Sequence, residues 1–268
     1  MKLSTQQIHD TLVSIGLRRG DDVLVHAGLR KLGTPEGLVE KEDILQFWVD
    51  TLLDFLGPDG TLLAPAYYYD FARHGHEFHI DKSHISKELG ALARTVLADP
   101  RSLRSAHPTQ CLAAIGKRAE TYCGGESLNG LGRSSPWYKL CKANAKMLFL
   151  GTGLQAMTFV HYIEQHYGVP YNYCKVYPQG VYKNGRRLPG QVCTSVRYLD
   201  FKIAPKFQRF QKHLLKVGAC RQQKLNEQGV FLVSMQDALK EGVQCLERDL
   251  YYFIAEPPTF RSGELPLL

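Results

Sequence analysis

Hydrophobic and polar positions along the chain follow two periods, one typical of helices and one typical of buried strands. The first periodic segment, residues 5–16, has apolar residues on one helical face, Thr5 as its expected cap and a glycine at its end. Further helices are predicted at residues 44–56, 90–97 and 235–253, and strands at residues 22–26, 61–65, 110–115, 146–150 and 230–234. Because the two kinds of segment alternate, we expect an α/β fold.

The rest of the pattern bears on the architecture. An Asn-Gly pair at positions 184 and 185 lies between two short runs and predicts a β-hairpin. Neither an internal repeat nor a linker interrupts the chain. We therefore predict a single domain, residues 1–268, in which helices flank a central mixed sheet.

The composition excludes several classes of protein. With 44% hydrophobic and 10% aromatic residues, the chain can bury a large core, so it is neither disordered nor fibrous. Because it has no apolar signal segment and no apolar run of membrane-spanning length, we expect a soluble, cytoplasmic protein without membrane insertion. The seven cysteines are scattered and never spaced as CxxC, which indicates reduced thiols.

The net charge of +7 is concentrated in residues 201–224, which contain seven Lys and Arg residues and no Asp or Glu. Phe207, Phe210 and Leu214 recur there at helical spacing, opposite a basic stripe. The segment is either a solvated helix face or a site for a phosphorylated ligand. Because no recognised nucleic-acid module accompanies the charge, we expect no nucleic-acid partner.

A histidine and a carboxylate, His161 and Glu164, lie three residues apart in the apolar segment 158–173. On a helix such residues share a face, so a carboxylate can orient an imidazole that accepts protons near neutral pH. By itself the HxxE spacing is common and equally fits a packing histidine. Four further histidines between residues 74 and 84 lack an ordered ligand spacing, and we predict no metal site.

Five other motifs accompany this segment in a fixed order. They are DVLVHAGLRKLG at 22–33, GTLLAPAY at 60–67, RSAHPTQCLAAIG at 104–116, GRSSPWYKL at 132–140 and MLFLGTG at 147–153. Their order closely resembles that of the aminoglycoside 3-N-acetyltransferase family, from about residue 14 to residue 173. The resemblance implies an α/β fold distinct from the common small N-acetyltransferase fold, with acetyl-CoA as acyl donor and an amino sugar as small-molecule acceptor.

The resemblance also assigns residues to roles. The family's catalytic histidine and its acidic partner fall on His161 and Glu164. Its VHSSLR turn and SxHP element imply coenzyme A contacts at His26, Ala27, Gly28, Leu29, Arg30, Lys31, Ser105 and His107. From the residues themselves, His161 suits the role of general base, because an ammonium must lose a proton before its nitrogen attacks a thioester. We expect Tyr67, Asp70 and Tyr171 to contact the acceptor, since aromatic faces pack on sugar rings.

Two departures from the family pattern affect the expected substrate. Ala27 and Gly28 replace the family's paired serines, and Cys111 replaces a serine after the HP pair, either as a buried thiol or as an acyl carrier. Few acidic residues are available for a polycationic antibiotic. We therefore favour biosynthetic acylation of a nucleotide- or lipid-linked amino sugar for surface polysaccharide. The alternatives are aminoglycoside acetylation in antibiotic resistance and a non-catalytic CoA-binding protein, and a homodimer remains open.

Overall fold

The computed structural model describes residues 2–198, 201 and 203–259. Its helices are α1 (Thr5–Ser14), α2 (Lys41–Leu56), α3 (Asp70–His74), α4 (Ala91–Ala98), α5 (Ala119–Cys123), α6 (Pro136–Lys142), α7 (Phe159–Tyr167), α8 (Gln208–Lys216) and α9 (Met235–Arg248). Its strands are β1 (Lys2–Leu3), β2 (Asp22–Ala27), β3 (Thr34–Pro35), β4 (Thr61–Pro65), β5 (Phe78–His79), β6 (Leu103–Arg104), β7 (Leu112–Gly116), β8 (Lys146–Leu150), β9 (Asn172–Tyr177), β10 (Val181–Lys183), β11 (Arg186–Arg187), β12 (Val192–Arg197), β13 (Cys220–Leu225) and β14 (Gln228–Ser234).

A seven-stranded mixed sheet forms the centre, in the order β13-β14-β8-β2-β4-β7-β6. Strand β2 pairs in parallel with β4 and β8, whereas β7 and β14 run antiparallel to their neighbours. The three parallel strands are buried along nearly their whole length, as expected for a sheet covered on both faces. The predicted single-domain α/β fold with a mixed sheet flanked by helices is confirmed.

Most predicted elements agree with the observed ones to within a few residues. The N-cap of helix α1 is Ser4 and not the predicted Thr5, which is the first residue of the helix. Ser4 Oγ accepts from the Gln7 backbone N–H, and the Gln7 side chain accepts from the Ser4 backbone N–H. This reciprocal capping box satisfies two amide groups that the first turn leaves free. The last helix ends at Arg248 rather than Phe253.

In the described residues, three smaller sheets lie outside the central one: β1 with β3, β5 with β10 and β11, and β9 with β12. The predicted hairpin is confirmed as β10 and β11, joined by Asn184 and Gly185 with φ angles of 51° and 78°. A strand closing at residues 198–200 is also predicted, close to the observed end of β12, but its pairing with β9 was not. In this longer hairpin, which has β10 and β11 between its two strands in the chain, six residues of each strand pair antiparallel, and it carries residues of the site described below.

The basic segment divides into two elements. Helix α8 buries Phe210 and Leu214, as its pattern predicts, and β13 then forms an edge of the central sheet with an exposed polar face. Lys202 of this segment lies outside the described residues. No helix in the described ranges combines the length and the apolar character needed to cross a membrane.

Candidate active site

Several of the predicted functional residues lie near one edge of the central sheet. Because β2, β4 and β8 are parallel, their carboxyl ends at Ala27, Pro65 and Leu150 lie at the same edge. The amino end of the antiparallel β7 meets this edge as well, since Leu112 pairs with Pro65. Ligand sites of open α/β sheets form at such edges, and the cavities described below open here.

His161 and Glu164 lie on one face of α7, as their spacing predicts. His161 Nδ1 donates to Glu164 Oε2 over 2.8 Å. The Glu164 side chain is fully buried, whereas 31% of the His161 side chain is exposed. The carboxylate therefore fixes the imidazole tautomer with the proton on Nδ1 and leaves Nε2 as the basic nitrogen.

The second oxygen of Glu164 has partners from two other segments. Oε1 accepts from the Tyr171 hydroxyl over 3.1 Å and from Arg197 Nη2 over 3.3 Å. Burial alone raises the pKa of Glu164, but the bond and charge of His161 and the charge of Arg197 together hold it below its ordinary value. Glu164 is therefore a buried carboxylate that remains ionised.

A cleft of about 480 Å³ opens beside His161. Strand β12 provides one wall with Thr194, Ser195, Val196 and Arg197. The other lining residues are Tyr69, Ala72, Thr109, Gln110, Thr158, Asn172, Tyr177, Tyr198 and Ile203. Several of these are aromatic or neutral hydrogen-bonding residues, which suits a hydroxyl-rich sugar ring.

A second cavity of about 320 Å³ shares Tyr69 and Thr158 with this cleft. Its walls include His26, Ala27, Tyr67, one carboxylate, Glu88, and several apolar side chains. Burial lowers the pKa of His26 to about 4, so its imidazole is neutral, and the ring stacks on Phe149 with 5.0 Å between centroids. His26 Nε2 is buried without a hydrogen-bond partner in the described part of the chain.

A third, basic groove of about 540 Å³ shares Thr152 with the second cavity. Three lysines from separate elements line it: Lys31 after β2, Lys212 of α8 and Lys224 of β13. Five glutamines, the glycine turn after β8, Gly229, Phe231 and one carboxylate, Glu227, complete the lining. The three cavities are thus neighbours, in an order that leads from the lysines to His161.

Two of the residues predicted to contact coenzyme A, Ser105 and His107, lie outside the three cavities. Ser105 is buried, and its hydroxyl accepts from the backbone N–H of Leu112, so it joins β6 to β7. His107 is also buried, and its Nε2 donates to the Cys193 carbonyl over 3.2 Å. Burial lowers the pKa of His107 to about 4. Neither residue lines any of the three cavities.

Of the residues predicted to contact the acceptor, one lines a cavity and two do not. Tyr67 lines the second cavity, and burial raises its pKa well above its ordinary value. Tyr171 is fully buried against Glu164, and Asp70 begins α3 and faces His84 over 3.3 Å rather than the cleft. Leu29 and Arg30 form a short turn after β2, with Arg30 exposed.

The thiol of Cys111 is completely buried, and Sγ donates to the Ala66 carbonyl over 2.8 Å. Burial raises its pKa, so the protonated form is retained. This favours the interpretation of Cys111 as a buried packing thiol. In the described ranges, no three His, Cys, Asp or Glu side chains converge closely enough to hold a metal ion.

Arg197 was not predicted from the sequence, although it contacts the carboxylate of the HxxE pair. Its position depends on the β9–β12 hairpin, in which Arg197 pairs with Asn172. The only local signal is a basic residue at the end of a weakly alternating run. Gln110 and Thr158 also line the cleft and were not singled out.

Comparisons with known proteins identify the family and the fold of the chain. The family model described as aminoglycoside 3-N-acetyltransferase matches residues 24–247. An aminoglycoside N(3)-acetyltransferase III of Pseudomonas aeruginosa is 25% identical over 89% of this chain and 91% of that protein. A Salmonella enzyme of the same name is 28% identical, but the match spans 61% of this chain and only 60% of the Salmonella protein.

Solved structures show the same fold. AAC-IIIb in a binary complex with CoASH superposes with a TM-score of 0.78 at 23% identity, covering 96% of this chain and 100% of that one. Aminoglycoside acetyltransferase AAC(3)-IVa in complex with a gentamicin gives a TM-score of 0.79 at 23% identity, covering 96% and 93%. Because the family model matches most of this chain, the chain belongs to the aminoglycoside 3-N-acetyltransferase family.

Proposed function

We propose that this protein is an acetyl-CoA-dependent N-acetyltransferase that acetylates an amine of an aminoglycoside, with His161 as general base. The observation that carries the proposal is the His161–Glu164 pair: among the described residues Nε2 of His161 has no hydrogen-bond partner, and the cleft beside it adjoins a second cavity through Tyr69 and Thr158. One cavity suits the acyl donor and the other suits the acceptor. Such a junction is where an amine and a thioester can meet.

The chain's own residues supply the proton transfer. His161 accepts a proton at Nε2 from the attacking amine, and the imidazolium that forms is stabilised by Glu164 through Nδ1. Because Glu164 is buried and ionised, this stabilisation acts with little screening by water. General bases of this kind contribute about 10²- to 10⁴-fold to a rate.

Coenzyme A fits the other two cavities. Its phosphates are anionic, and Lys31, Lys212 and Lys224 form a basic groove with neutral amides between them. The adjoining cavity has both apolar and polar lining residues, which suits the pantetheine arm with its methyl groups and amides. Nε2 of neutral His26, which has no hydrogen-bond partner among the described residues, can bond to a polar group there. When bound, acetyl-CoA supplies an acetyl thioester.

The comparisons support an aminoglycoside as the acceptor class. Curated relatives are named aminoglycoside N(3)-acetyltransferases, and solved structures of the same fold were determined with gentamicin and with sisomicin. These findings favour aminoglycoside acetylation and lend no support to the nucleotide- or lipid-linked amino sugar that the sequence alone favoured. In the cleft, the half-buried Tyr69 offers an aromatic side chain to a sugar ring.

The test is incubation of the protein with acetyl-CoA and either gentamicin, sisomicin or an amine-bearing nucleotide sugar, with free thiol followed over time. We expect thiol release with an aminoglycoside and its loss by about 10²-fold or more in His161→Ala. Release with the nucleotide sugar alone would overturn the acceptor class. Tight binding of CoA by calorimetry without thiol release with any amine would instead indicate a non-catalytic CoA-binding protein.

A further inference from the structure

We propose that Arg197 is a positioning residue for the His161–Glu164 pair, which tunes the basicity of His161 by holding the second oxygen of Glu164. The inference rests on the proposed function and adds a residue to it. The two carboxylate oxygens of Glu164 have different partners. Oε2 faces His161 over 2.8 Å, and Oε1 faces Arg197 and Tyr171.

The burial of Glu164 makes these partners necessary. A fully buried carboxylate is costly unless both of its oxygens are hydrogen-bonded or ion-paired. With Oε1 held over 3.3 Å by Arg197 and over 3.1 Å by Tyr171, only Oε2 is left for the imidazole. The carboxylate therefore cannot rotate without losing a partner, and His161 keeps one orientation and one tautomer.

Arg197 is itself held in place. It ends β12, where it pairs with Asn172, and 16% of its side chain is exposed. Its guanidinium carbon lies 5.6 Å from the centre of the Phe207 ring, and Phe207 is edge-on to His161 with 6.0 Å between centroids. The same aromatic ring thus packs against both the cation and the base.

The other titratable groups around the pair lie further out or are neutral. Burial raises the pKa of Tyr69 across the cleft to about 12 and raises that of Tyr171 further. On α9, which packs against α7, Glu241 is paired with His213 over 2.8 Å. Arg209 of α8 donates to the carbonyls of Tyr251 and Tyr252 rather than to Glu164. In the described part of the chain, the Glu164 carboxylate is ion-paired only with His161 and Arg197.

The electrostatic consequence has a definite sign. Glu164 favours the protonated form of His161, and the positive charge of Arg197 opposes that form by repulsion and by sharing the carboxylate. Without Arg197, the imidazole would hold its proton to higher pH. The fraction of enzyme with a free base at neutral pH would fall, and with it the rate of amine deprotonation.

The test compares Arg197→Met and Arg197→Lys with the wild type. The acid limb of the kcat/KM profile, with an aminoglycoside acceptor, is measured between pH 5.5 and 9. We expect the limb of Arg197→Met to move up by about 0.8 to 1.5 pH units, as for the loss of one charge about 8 Å away at an effective dielectric constant of about 20 to 40. Arg197→Lys, which keeps the charge, should restore most of the wild-type profile.

Two further variants serve as comparisons for Arg197→Met. Arg186→Met removes an arginine that is also on a strand and ion-paired, with Glu126 over 2.6 Å, and should leave the limb unmoved. Tyr171→Phe removes only a hydroxyl from the same oxygen and should move the limb in the same direction by less. A loss of rate that is equal at all pH values in Arg197→Met would show a merely structural role and overturn the proposal.

A readout that needs no turnover separates this proposal from the proposed function. The imidazole resonance of His161, assigned by its absence in His161→Gln, can be followed by NMR as the pH is varied without substrates. We expect it to titrate at higher pH in Arg197→Met than in the wild type. An unchanged titration would overturn the role of Arg197 even if acetylation were observed. A shifted titration in a protein that acetylates no amine would overturn only the proposed function.

Discussion

Gly28 and Gly151 approach each other so closely that a Cβ atom on Gly28 would stand 2.9 Å from the Gly151 carbonyl oxygen. The relation is reciprocal, because a Cβ atom on Gly151 would stand 2.8 Å from the Gly28 carbonyl oxygen. The turns after β2 and β8 therefore touch through their backbones at the edge where the cavities open. This contact gives a physical reason for glycine where the family's turn has its second serine.

Restoring the two family serines should have unequal effects. Gly28→Ser must push apart two backbone turns and should lower the free energy of unfolding by about 1–3 kcal/mol. Ala27→Ser already has a Cβ atom and adds a hydroxyl at a half-buried position that lines the second cavity, so it should cost less than about 1 kcal/mol. Urea unfolding of both variants measures the difference. Equal stability would show that the turns can separate without cost.

Glu164→Gln should lower kcat by about 10²-fold or more, because the neutral amide cannot stabilise an imidazolium. KM for the acceptor should change little, since Glu164 is fully buried and cannot touch the acceptor directly. Steady-state kinetics with an aminoglycoside checks both values. The double variant His161→Ala, Glu164→Gln should be no slower than His161→Ala alone, because the two residues act as a unit. Additive losses would contradict that coupling.

The basic groove should recognise the phosphates of coenzyme A. Lys212→Ala and Lys224→Ala each remove one cation from the groove and should weaken CoA binding by about 5- to 30-fold, the range of one lost charge-assisted contact. Calorimetry with CoA and with 3′-dephospho-CoA identifies the phosphate concerned, since the lysine that meets the 3′-phosphate should matter less for the dephosphorylated ligand. Lys117→Ala, which removes an exposed lysine paired with Asp59 outside the groove, is the control. Unchanged affinity in both groove variants would place the phosphates elsewhere.

The sequence predicted the parts of the fold that have strong local patterns. The buried strands, the amphipathic helices and the Asn184-Gly185 turn were found because each burial pattern has one clear period. Strand β13 was missed because its middle positions are exposed and polar, so the lysine and arginine there read as part of one basic segment. Hairpin β9–β12 has a weak alternation that cannot be separated from a loop.

The same limit applies to the site. His161 and Glu164 are neighbours on one helix, so their contact follows from spacing. Arg197 is 33 residues from Glu164 and reaches it only through the tertiary position of β12. Tyr171 looked like an exposed aromatic residue for a sugar, but its burial against Glu164 could be known only from the packing of the loop after α7.

The two buried histidines should make the protein less stable as the pH falls. His26 and His107 have a pKa of about 4 in the folded protein, against an ordinary value of 6.5. Between these values the unfolded chain binds more protons than the folded one, so stability is fully present above pH 6.5 and falls as the pH is lowered towards 4. From pH 7 to pH 5 the loss should be about 2 kcal/mol for each histidine.

His107→Gln isolates one of these contributions, because an amide N–H can still donate to the Cys193 carbonyl while the titrating group is removed. Its free energy of unfolding should fall between pH 7 and pH 5 by about 2 kcal/mol less than that of the wild type. Comparing the two proteins at both pH values cancels the other titrating groups, provided these are distant from the site. Urea unfolding at each pH gives the four values. An equal fall in both proteins would mean that His107 is protonated without cost in the folded state, and that its burial does not suppress its charge.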